Sequence, residues 1–259
     1  MKLYIAGVTG TSFIVKRCEK EKILSDVYLL ESYYYIKSRE WFKPYIPRIG
    51  SFMLDSGAFT FMQNKKMGVD WERYVENYAE YIIQNDIELF VEIDIDVIVG
   101  LERVEKLRER LENLVGRKSI PVWHRNRGKQ YYFDMCQEYN YVALGGLVSG
   151  EITKTDVKYF PWFVEQAHKY NTKVHCLGFT APKSLKKYSF DSVDSSNWNT
   201  VRYHYQDVFN SELGVLDQVD KGGKRVKKDC RDEYQWSQFM EWVKFQRYIE
   251  RYSNSKRGN

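Results

Sequence analysis

Short apolar stretches alternate with amphipathic stretches along the first two hundred residues of the chain. Eight of the apolar stretches are rich in β-branched residues and are almost uninterrupted, as strands are when a parallel sheet buries both of their faces. We therefore predict eight strands. They cover residues 2–8, 26–32, 51–55, 88–94, 120–124, 141–146, 173–178 and 189–194.

Between the predicted strands, apolar residues recur at helical spacing. The predicted helices cover 69–84, 101–115, 129–139 and 161–170, with a short one at 182–188 and a poorly marked one at 11–20. Asp70 and Pro161 stand at positions where helices begin with such residues. The alternation predicts an α/β protein, a (β/α)8 TIM-like barrel. A doubly wound open sheet has the same local pattern and remains an alternative.

The chain beyond the predicted barrel has a different character. Residues 199–230 are polar and aromatic, and 232–252 has the pattern of a terminal helix. We therefore predict a catalytic barrel at 1–198. A basic, aromatic loop and a helix at 199–259 are expected to pack on it.

Length and composition set wide bounds on function. A chain of 259 residues with 43% hydrophobic residues can bury one substantial core. The formal net charge of +5 permits a polyanionic partner without requiring one. The cysteines are scattered, no secretory leader opens the sequence, and no apolar stretch reaches the roughly 20 residues that cross a bilayer. We expect a reduced, soluble, cytoplasmic protein without a membrane partner.

Polar groups follow five of the predicted strands at the point where each strand ends. They are Asp55, Asp94, His124, the pair Gly145–Gly146 and Asp194. In a barrel of parallel strands the carboxyl ends meet at one face, so these residues would ring a single pocket. On an open sheet they would lie along an edge, and only those near a topological switch point would act together.

Four short motifs contain most of these residues, in the order LDSGAF (54–59), ALGGLVSGE (143–151), LGFTAP (177–182) and DSVDS (191–195). Together they resemble the queuine and archaeosine tRNA-guanine transglycosylases. The segments LLESYYY (29–35), PVWH (121–124) and SVDSSNW (192–198) are more similar to the phage and bacterial branch that inserts 7-deazaguanines into DNA. The resemblance spans about residues 1–200.

This resemblance implies two catalytic carboxylates. Base exchange at a nucleoside C1′ with retention needs a nucleophile and an acid that later acts as a base. By resemblance, Asp194 is the nucleophile, and Asp55 protonates the departing guanine and then deprotonates the incoming base. The second role works best with a pKa raised toward neutrality. Asp191 points to the opposite face of the strand and is the alternative nucleophile.

The resemblance also implies how the base is recognised. Asp94 resembles the carboxylate that accepts the N1–H and 2-amino edge of guanine, with Asp96 either supporting it or facing solvent. Gly145 and Gly146 lack a Cβ and let the backbone approach O6. His124 stands where the transglycosylases usually carry a glutamine, and is a weaker candidate for contacting O6 or the substituent. Ser56, Phe59 and Gly178 complete the substrate-binding set, and Tyr34, Phe59 and Phe179 are candidates to stack on the base.

Several of these residues also have a purely structural interpretation. Asp55 before Ser56 and Gly57 suits a turn, and the glycine pair suits a tight loop. Asp94 or Asp96 is of a type that caps helices. His124 is followed by Arg125, and a solvated loop histidine fits that setting as well.

The zinc ligands of the tRNA enzymes, a Cys-x-Cys-x-x-Cys cluster and a histidine, are missing. The tail offers only Cys230 and His204, too few for a closed tetrahedral site, so we predict no metal and no cofactor. Basic residues around a Gly-Gly turn suit a phosphate backbone, or form a solvated charged loop. They are Lys221, Lys224, Arg225, Lys227 and Lys228.

The expected function is the exchange of guanine in DNA for a free 7-deazaguanine base such as 7-cyano-7-deazaguanine. The target nucleotide must be flipped out or single-stranded to reach the pocket. A minimal tRNA-guanine transglycosylase is the alternative within the same reaction class. A silent nucleic-acid-binding barrel and an N-glycosidase-like hydrolase are the alternatives from other classes. A helper subunit that opens DNA, the oligomeric state and the substituent on the base all remain open.

Overall fold

One eight-stranded parallel sheet organises the molecule. The computed structural model describes residues 1–58, 60–61, 68–153, 155–179, 181–199, 205–220, 222 and 230–257, with the backbone alone at 256 and 257. The strands of the large sheet are β1 Lys2–Ala6, β2 Tyr28–Ser32, β3 Ser51–Asp55, β4 Leu89–Phe90, β5 Val122–Trp123, β6 Tyr141–Leu144, β7 Lys173–Cys176 and β8 Ser192–Ser195. All eight strands predicted from the sequence are confirmed; β3 has the predicted bounds, and the other seven are shorter than predicted, β4 most of all.

The strand order shows that the sheet is curled. Its order is β4-β3-β2-β1-β8-β7-β6-β5, so consecutive strands are neighbours and β1 pairs with β8. A parallel bridge between Val91 and Ile120 also links the two edge strands, and the N–H of Glu92 donates to Ile120 O at 3.0 Å. This order lacks the reversal of a doubly wound sheet, so that alternative is wrong. The mixed α/β architecture is consistent with a TIM-like fold.

Helices connect most of the strands. They are α1 Ser12–Lys20, α2 Tyr33–Ile36, α3 Trp71–Gln84, α4 Asp96–Val99, α5 Leu101–Val115, α6 Gly128–Glu138, α7 Phe160–Lys169 and α8 Arg231–Arg257. Asp70 caps α3 by accepting the N–H of Arg73 at 3.0 Å, and Pro161 lies in the first turn of α7, as predicted. The short helix predicted at 182–188 is a 3-10 turn, Leu185–Lys187.

The core has two parts because successive strand residues point to opposite faces of the sheet. Tyr4, Leu30, Met53 and Val122 belong to a cluster of residues from the strands and their immediate extensions. The larger cluster lies between the sheet and the helices. The smaller cluster fills one face of the curled sheet and forms the floor below the carboxyl ends of the strands.

An antiparallel hairpin that the sequence pattern did not predict follows the large sheet. Its strands are β9 Tyr205–Asn210 and β10 Val215–Asp220. Among the strand residues of the hairpin only Val215 and Leu216 are buried, so its apolar alternation is too weak to stand out. The turn contains Gly214 at φ +61°, which favours glycine.

Helix α8 packs on the large sheet and on the hairpin. Phe239 and Phe245 are fully buried. The Gln246 side chain accepts the N–H of Tyr28 at 3.0 Å and donates to Asp26 O at 2.9 Å, which ties the helix to the start of β2. The predicted nucleic-acid-binding residues lie outside the described residues, as does His204. They are Lys221, Lys224, Arg225, Lys227 and Lys228.

Two further features bear on the class of protein. All four cysteines are free; Cys18, Cys136 and Cys176 are buried and Cys230 is exposed. Within the described ranges, no helix combines the length and the apolar character that crossing a membrane requires.

Candidate active site

A cavity of about 530 Å³ lies at the carboxyl ends of the large-sheet strands. It brings together Asp55 and Asp194, which are 139 positions apart in the sequence, because the curl of the sheet turns the strand ends toward one hollow. Seven predicted site residues line it, namely Asp55, Asp94, His124, Gly145, Gly146, Gly178 and Asp194. Its apolar floor includes Ala6, Leu30, Val91 and Val122.

Asp194 is the third residue of β8 and is held firmly. One of its carboxylate oxygens, Oδ1, accepts the N–H of Gly178 at 2.7 Å and lies 3.2 Å from Nε2 of His175. The other ring nitrogen of His175 lies 2.5 Å from Oγ of Ser192. His175 is fully buried, and Asp194 is only 8% exposed. The side chain therefore has a fixed orientation at the cavity wall.

Asp191 lies outside the cavity. Its Oδ2 accepts the N–H of Val174 at 2.9 Å and lies 2.9 Å from Nε2 of His168, close to the C-terminal end of α7. Asp191 precedes β8, whereas the cavity is at the other end of that strand. Asp191 therefore does not share the cavity that Asp194 lines, and this position counts against the alternative of Asp191 as the nucleophile.

Asp55 ends β3 and faces the same cavity as Asp194. Its Oδ2 accepts the N–H of Gly57 at 2.9 Å, as expected for an aspartate in a turn. Asp55 also lines the cavity, so its place in the turn does not exclude it from the site. The pKa of Asp55 is raised to about 6: burial is the largest cause, the N–H of Gly57 opposes it, and the charges of Asp194 and Asp94 contribute to the rise. A carboxyl with this pKa exchanges a proton readily near neutral pH.

Asp94 and His124 form a hydrogen-bonded pair in the cavity wall. Nε2 of His124 lies 2.7 Å from Asp94 Oδ2, and its Nδ1 lies 2.9 Å from Oε2 of Glu151. Burial lowers the pKa of His124, but the hydrogen bonds with Asp94 and Glu151 and the charges of Asp94 and Asp96 outweigh it and raise the pKa to about 9. Burial raises the pKa of Asp94 against the opposing effect of His124. The interpretation of His124 as a solvated loop residue is wrong, since it is 6% exposed.

Arg127 organises the acids beneath this pair. Its guanidinium donates to Glu92 Oε1 at 3.0 Å, to Asp94 Oδ1 at 3.3 Å and to Asp96 Oδ2 at 3.3 Å. Asp96 is buried, so it does not face solvent, and it shares Arg127 with Asp94. Helix α5 begins after Gly100 without a side-chain cap, so the capping interpretation of Asp94 and Asp96 is wrong for that helix.

A cation is geometrically conceivable at this cluster. Asp94, Asp96 and His124 each place a ligand atom within 4.8 Å of the others. The Arg127 side chain, however, already supplies a positive charge to both carboxylates. A metal would have to displace that charge and compete with a histidine that holds a proton, so the donor set suits a hydrogen-bonding role better.

Different constraints favour glycine at the three glycine positions of the cavity. A Cβ on Gly145 would meet Cε1 of His124 at 2.7 Å and Cγ1 of Val122 at 2.8 Å. Gly146 has φ +93° and Gly178 has φ +66°, and a Cβ on Gly178 would meet Cγ2 of Val148 at 2.4 Å. The absence of a Cβ at Gly145 is therefore what lets the His124 ring lie against the backbone.

The structure does not bring every predicted site residue to the cavity. Ser56 is fully buried and does not line it. Phe179 is buried among Phe160, Tyr188 and Phe190, so the prediction that it stacks on a base is wrong. Tyr34 is half-buried against Tyr35 and Phe61 and is not part of the lining. Phe59 lies outside the described residues.

Three functional-looking residues were missed from the sequence. His175 lies inside β7 and carries no motif, and Arg127 looked like one more loop cation. Glu151 closes the ALGGLVSGE motif and could have been found there, because it is the only acid in that segment. His175 and Arg127 are recognised only through the partners that the fold gives them.

Fold and site together define an α/β protein with a polar, carboxylate-rich cavity at the carboxyl ends of a curled parallel sheet. No family model matches the chain. Uncharacterized protein 306 of Sulfolobus islandicus rod-shaped virus 1 is similar, with 27% identity over 167 residues. The matched stretch covers 60% of this chain and 51% of the viral protein, so the chain spans about half the length of that relative. The relative's name states no activity.

Proposed function

We propose that the protein is a DNA-guanine transglycosylase that exchanges guanine for a 7-deazaguanine base such as 7-cyano-7-deazaguanine. The observation that carries the proposal is the single cavity shared by Asp55, Asp94, His124 and Asp194. A curled sheet closed as a (β/α)8 barrel is part of the proposal, and the bridge between the edge strands supports it.

The two carboxylates divide the chemistry. A carboxylate oxygen of Asp194 attacks C1′ of the target nucleotide while the bond from C1′ to the guanine N9 breaks. Asp55, protonated at the outset, gives its proton to the departing guanine, which leaves as the neutral base. The sugar is then held as an ester of Asp194. The raised pKa of Asp55 supports its role as the acid.

The second half of the reaction reverses the first with a new base. The ionised Asp55 takes the N9 proton of the 7-deazaguanine, N9 attacks C1′, and Asp194 leaves as a carboxylate. Two inversions give overall retention at C1′. Atoms and charges balance without a cofactor, because the two carboxylates supply the nucleophile and the proton.

We assign recognition of the base to Asp94, His124 and the pair Gly145–Gly146. The carboxylate of Asp94 suits the N1–H and 2-amino edge of guanine. His124 already engages a carboxylate at each ring nitrogen, so it orients Asp94 more readily than it contacts O6. The backbone at Gly145 and Gly146 can approach O6 closely, because neither residue has a Cβ. Both bases share this edge, which is what an exchange reaction needs.

The decisive experiment incubates the protein with guanine-labelled single-stranded DNA and free 7-cyano-7-deazaguanine, and measures label release and product mass. Asp194→Asn and Asp55→Asn are expected to lower the exchange rate by about 10³-fold or more, and only variants with Asp194 form a trapped protein–DNA adduct. Asp86→Asn, at a 96% exposed side chain in the turn before β4, is the matched control and is expected to exchange normally.

The alternatives give other products in the same experiment. Exchange on tRNA and not on DNA would make the protein a minimal tRNA-guanine transglycosylase. Abasic sites that form without added 7-deazaguanine would indicate an N-glycosidase-like hydrolase. Tight nucleic-acid binding without label release would indicate a silent barrel, and full exchange by Asp194→Asn would contradict the proposed nucleophile.

A further inference from the structure

A second cavity, of about 590 Å³, lies next to the first and is lined mainly by aromatic side chains. Its aromatic lining residues are Trp123, Tyr159, Phe160, Trp162 and Phe163. Trp123 and Phe163 pack with ring centroids 4.6 Å apart and form the inner wall. Tyr159 is 53% exposed and Trp162 is half-buried, so the outer rings are partly accessible to solvent.

Cations surround this aromatic cavity. The Arg125 side chain is 64% exposed, and Nζ of Lys129 lies 5.2 Å from the centroid of the Trp162 ring. Asp156 is the one acid among the lining residues that the structure describes. Its Oδ2 already accepts the N–H of Thr153 at 2.9 Å and lies 3.5 Å from Arg125. The rim is therefore positively charged around apolar walls.

Neighbouring residues of the sequence line the aromatic cavity and the catalytic cavity. Trp123 directly precedes His124, and Ile152, which also lines the aromatic cavity, directly follows Glu151. A Cβ on Gly146, which lines the catalytic cavity, would meet Cγ1 of Ile152 at 3.3 Å. A residue that lines one cavity therefore lies against a residue that lines the other.

We propose that the aromatic cavity binds the unstacked base of the nucleotide next to the target guanine on the same DNA strand. The inference rests on the proposed function for the identity of the target. Flipping a guanine breaks its stacking with both neighbours. An aromatic cavity restores stacking for one of them, while Arg125 and Lys129 contact the adjoining phosphates.

The shape of the cavity favours this occupant. Apolar walls with a cationic rim match a flat base joined to an anionic backbone, and they suit any of the four bases because each has a π face. Cation–π contacts already pair Lys129 with Trp162 and Lys158 with Tyr159, so the rings are held in place before DNA arrives.

The test measures affinity for short single-stranded DNA in an Asp194→Asn background, so that no covalent adduct contributes. Trp162→Ala is expected to weaken binding by about 5- to 100-fold. Replacing either neighbour of the target guanine with an abasic nucleotide, one at a time, identifies the contacted side. On that side the abasic strand and Trp162→Ala together should weaken binding no more than either change alone. Tyr170→Ala, at the far end of the same helix, is the matched control.

The outcomes separate this inference from the proposed function. Coupling between Trp162 and one flanking base supports the inference even if the wild-type protein exchanges no guanine. Two outcomes overturn the inference alone, provided that the wild-type protein exchanges guanine. In the first, the affinity losses from Trp162→Ala and from the abasic nucleotide are additive. In the second, Trp162→Ala and Tyr159→Ala leave the affinity for DNA unchanged. Coupling seen with RNA of the same sequence and not with DNA also overturns it, because the strand bound there would then be RNA.

Discussion

At the residue scale, the two aspartates around β8 show how position decides chemistry. Asp191 and Asp194 are three residues apart, and both have a histidine as a partner. The partner of Asp191 is on the surface, at the end of a helix, whereas His175 is fully buried inside the sheet. The same pair of residue types thus serves structure at one end of the strand and lines the candidate active site at the other.

We expect Asp191→Asn to leave guanine exchange close to the wild-type rate and to lower the free energy of unfolding by about 1–2 kcal/mol. The substitution weakens the bonds to Val174 N and His168 without touching the cavity. Urea unfolding and the exchange assay measure the two effects separately. Loss of exchange at undiminished stability would return Asp191 to the chemistry.

The pKa of Asp55 predicts a pH profile. In the proposed mechanism the first half-reaction needs the protonated carboxyl, which predominates below a pKa of about 6 and is lost as the pH rises through that value. Guanine release in a single turnover, without incoming base, is therefore expected to fall about tenfold per pH unit above about 6. Rapid-quench measurements between about pH 5 and pH 9 test this. A rate that rises with pH over this range would assign the acid to another group.

At the element scale, strand ends and the loops that follow them build the site. The regular part of β6 ends at Leu144, and the next two residues, Gly145 and Gly146, turn the chain past the His124 ring. The ring is held between carboxylates that come from the segments after β4 and β6. The position of the His124 ring therefore depends on the missing Cβ of Gly145 and on carboxylates from two other segments.

Gly145→Ala is expected to weaken binding of free 7-cyano-7-deazaguanine by about tenfold or more, with a stability loss of about 1–3 kcal/mol. The added Cβ would meet His124 at 2.7 Å and push it away from Asp94. Titration calorimetry and thermal unfolding measure the two losses. Gly10→Ala is the control, because no heavy atom lies within 4 Å of its Cβ position. Equal affinity in the two variants would contradict the role given to the His124 position.

At the scale of the whole molecule, the ends of the chain are packed together. Helix α8 contacts β1, α1 and the hairpin, and it buries Trp242 and Phe239. The hydroxyl of Tyr28 in β2 also donates to Glu250 at 2.6 Å. The last element of the chain therefore shares a core with the first strands, which predicts that they unfold together.

We expect Phe239→Ala to lower the free energy of unfolding by about 3–5 kcal/mol, because the ring is fully buried and leaves a cavity. The far-UV circular dichroism and tryptophan fluorescence transitions should shift by the same amount. Leu213→Ala, at a residue that is 61% exposed, is the control and should change stability by no more than about 0.5 kcal/mol. Two separate transitions in Phe239→Ala would show that α8 is an independent unit.

The sequence by itself determined the eight strands, most of the helices and the acids at the strand ends. Local periodicity reports which face of each element is buried, and it does so without knowledge of the partner. The hairpin at Tyr205–Asp220 escaped because its faces are mostly exposed and leave little apolar pattern.

Only the tertiary structure decided which polar groups act together. Asp55 and Asp194 share a cavity because the sheet curls, and Asp191 is excluded from it because of its place at the other end of β8. The roles of Arg127 and His175 are apparent only from the carboxylates of other segments that these side chains contact. Distances between such groups depend on strand order, register and curl, which are properties of many contacts at once. No short stretch of sequence contains them.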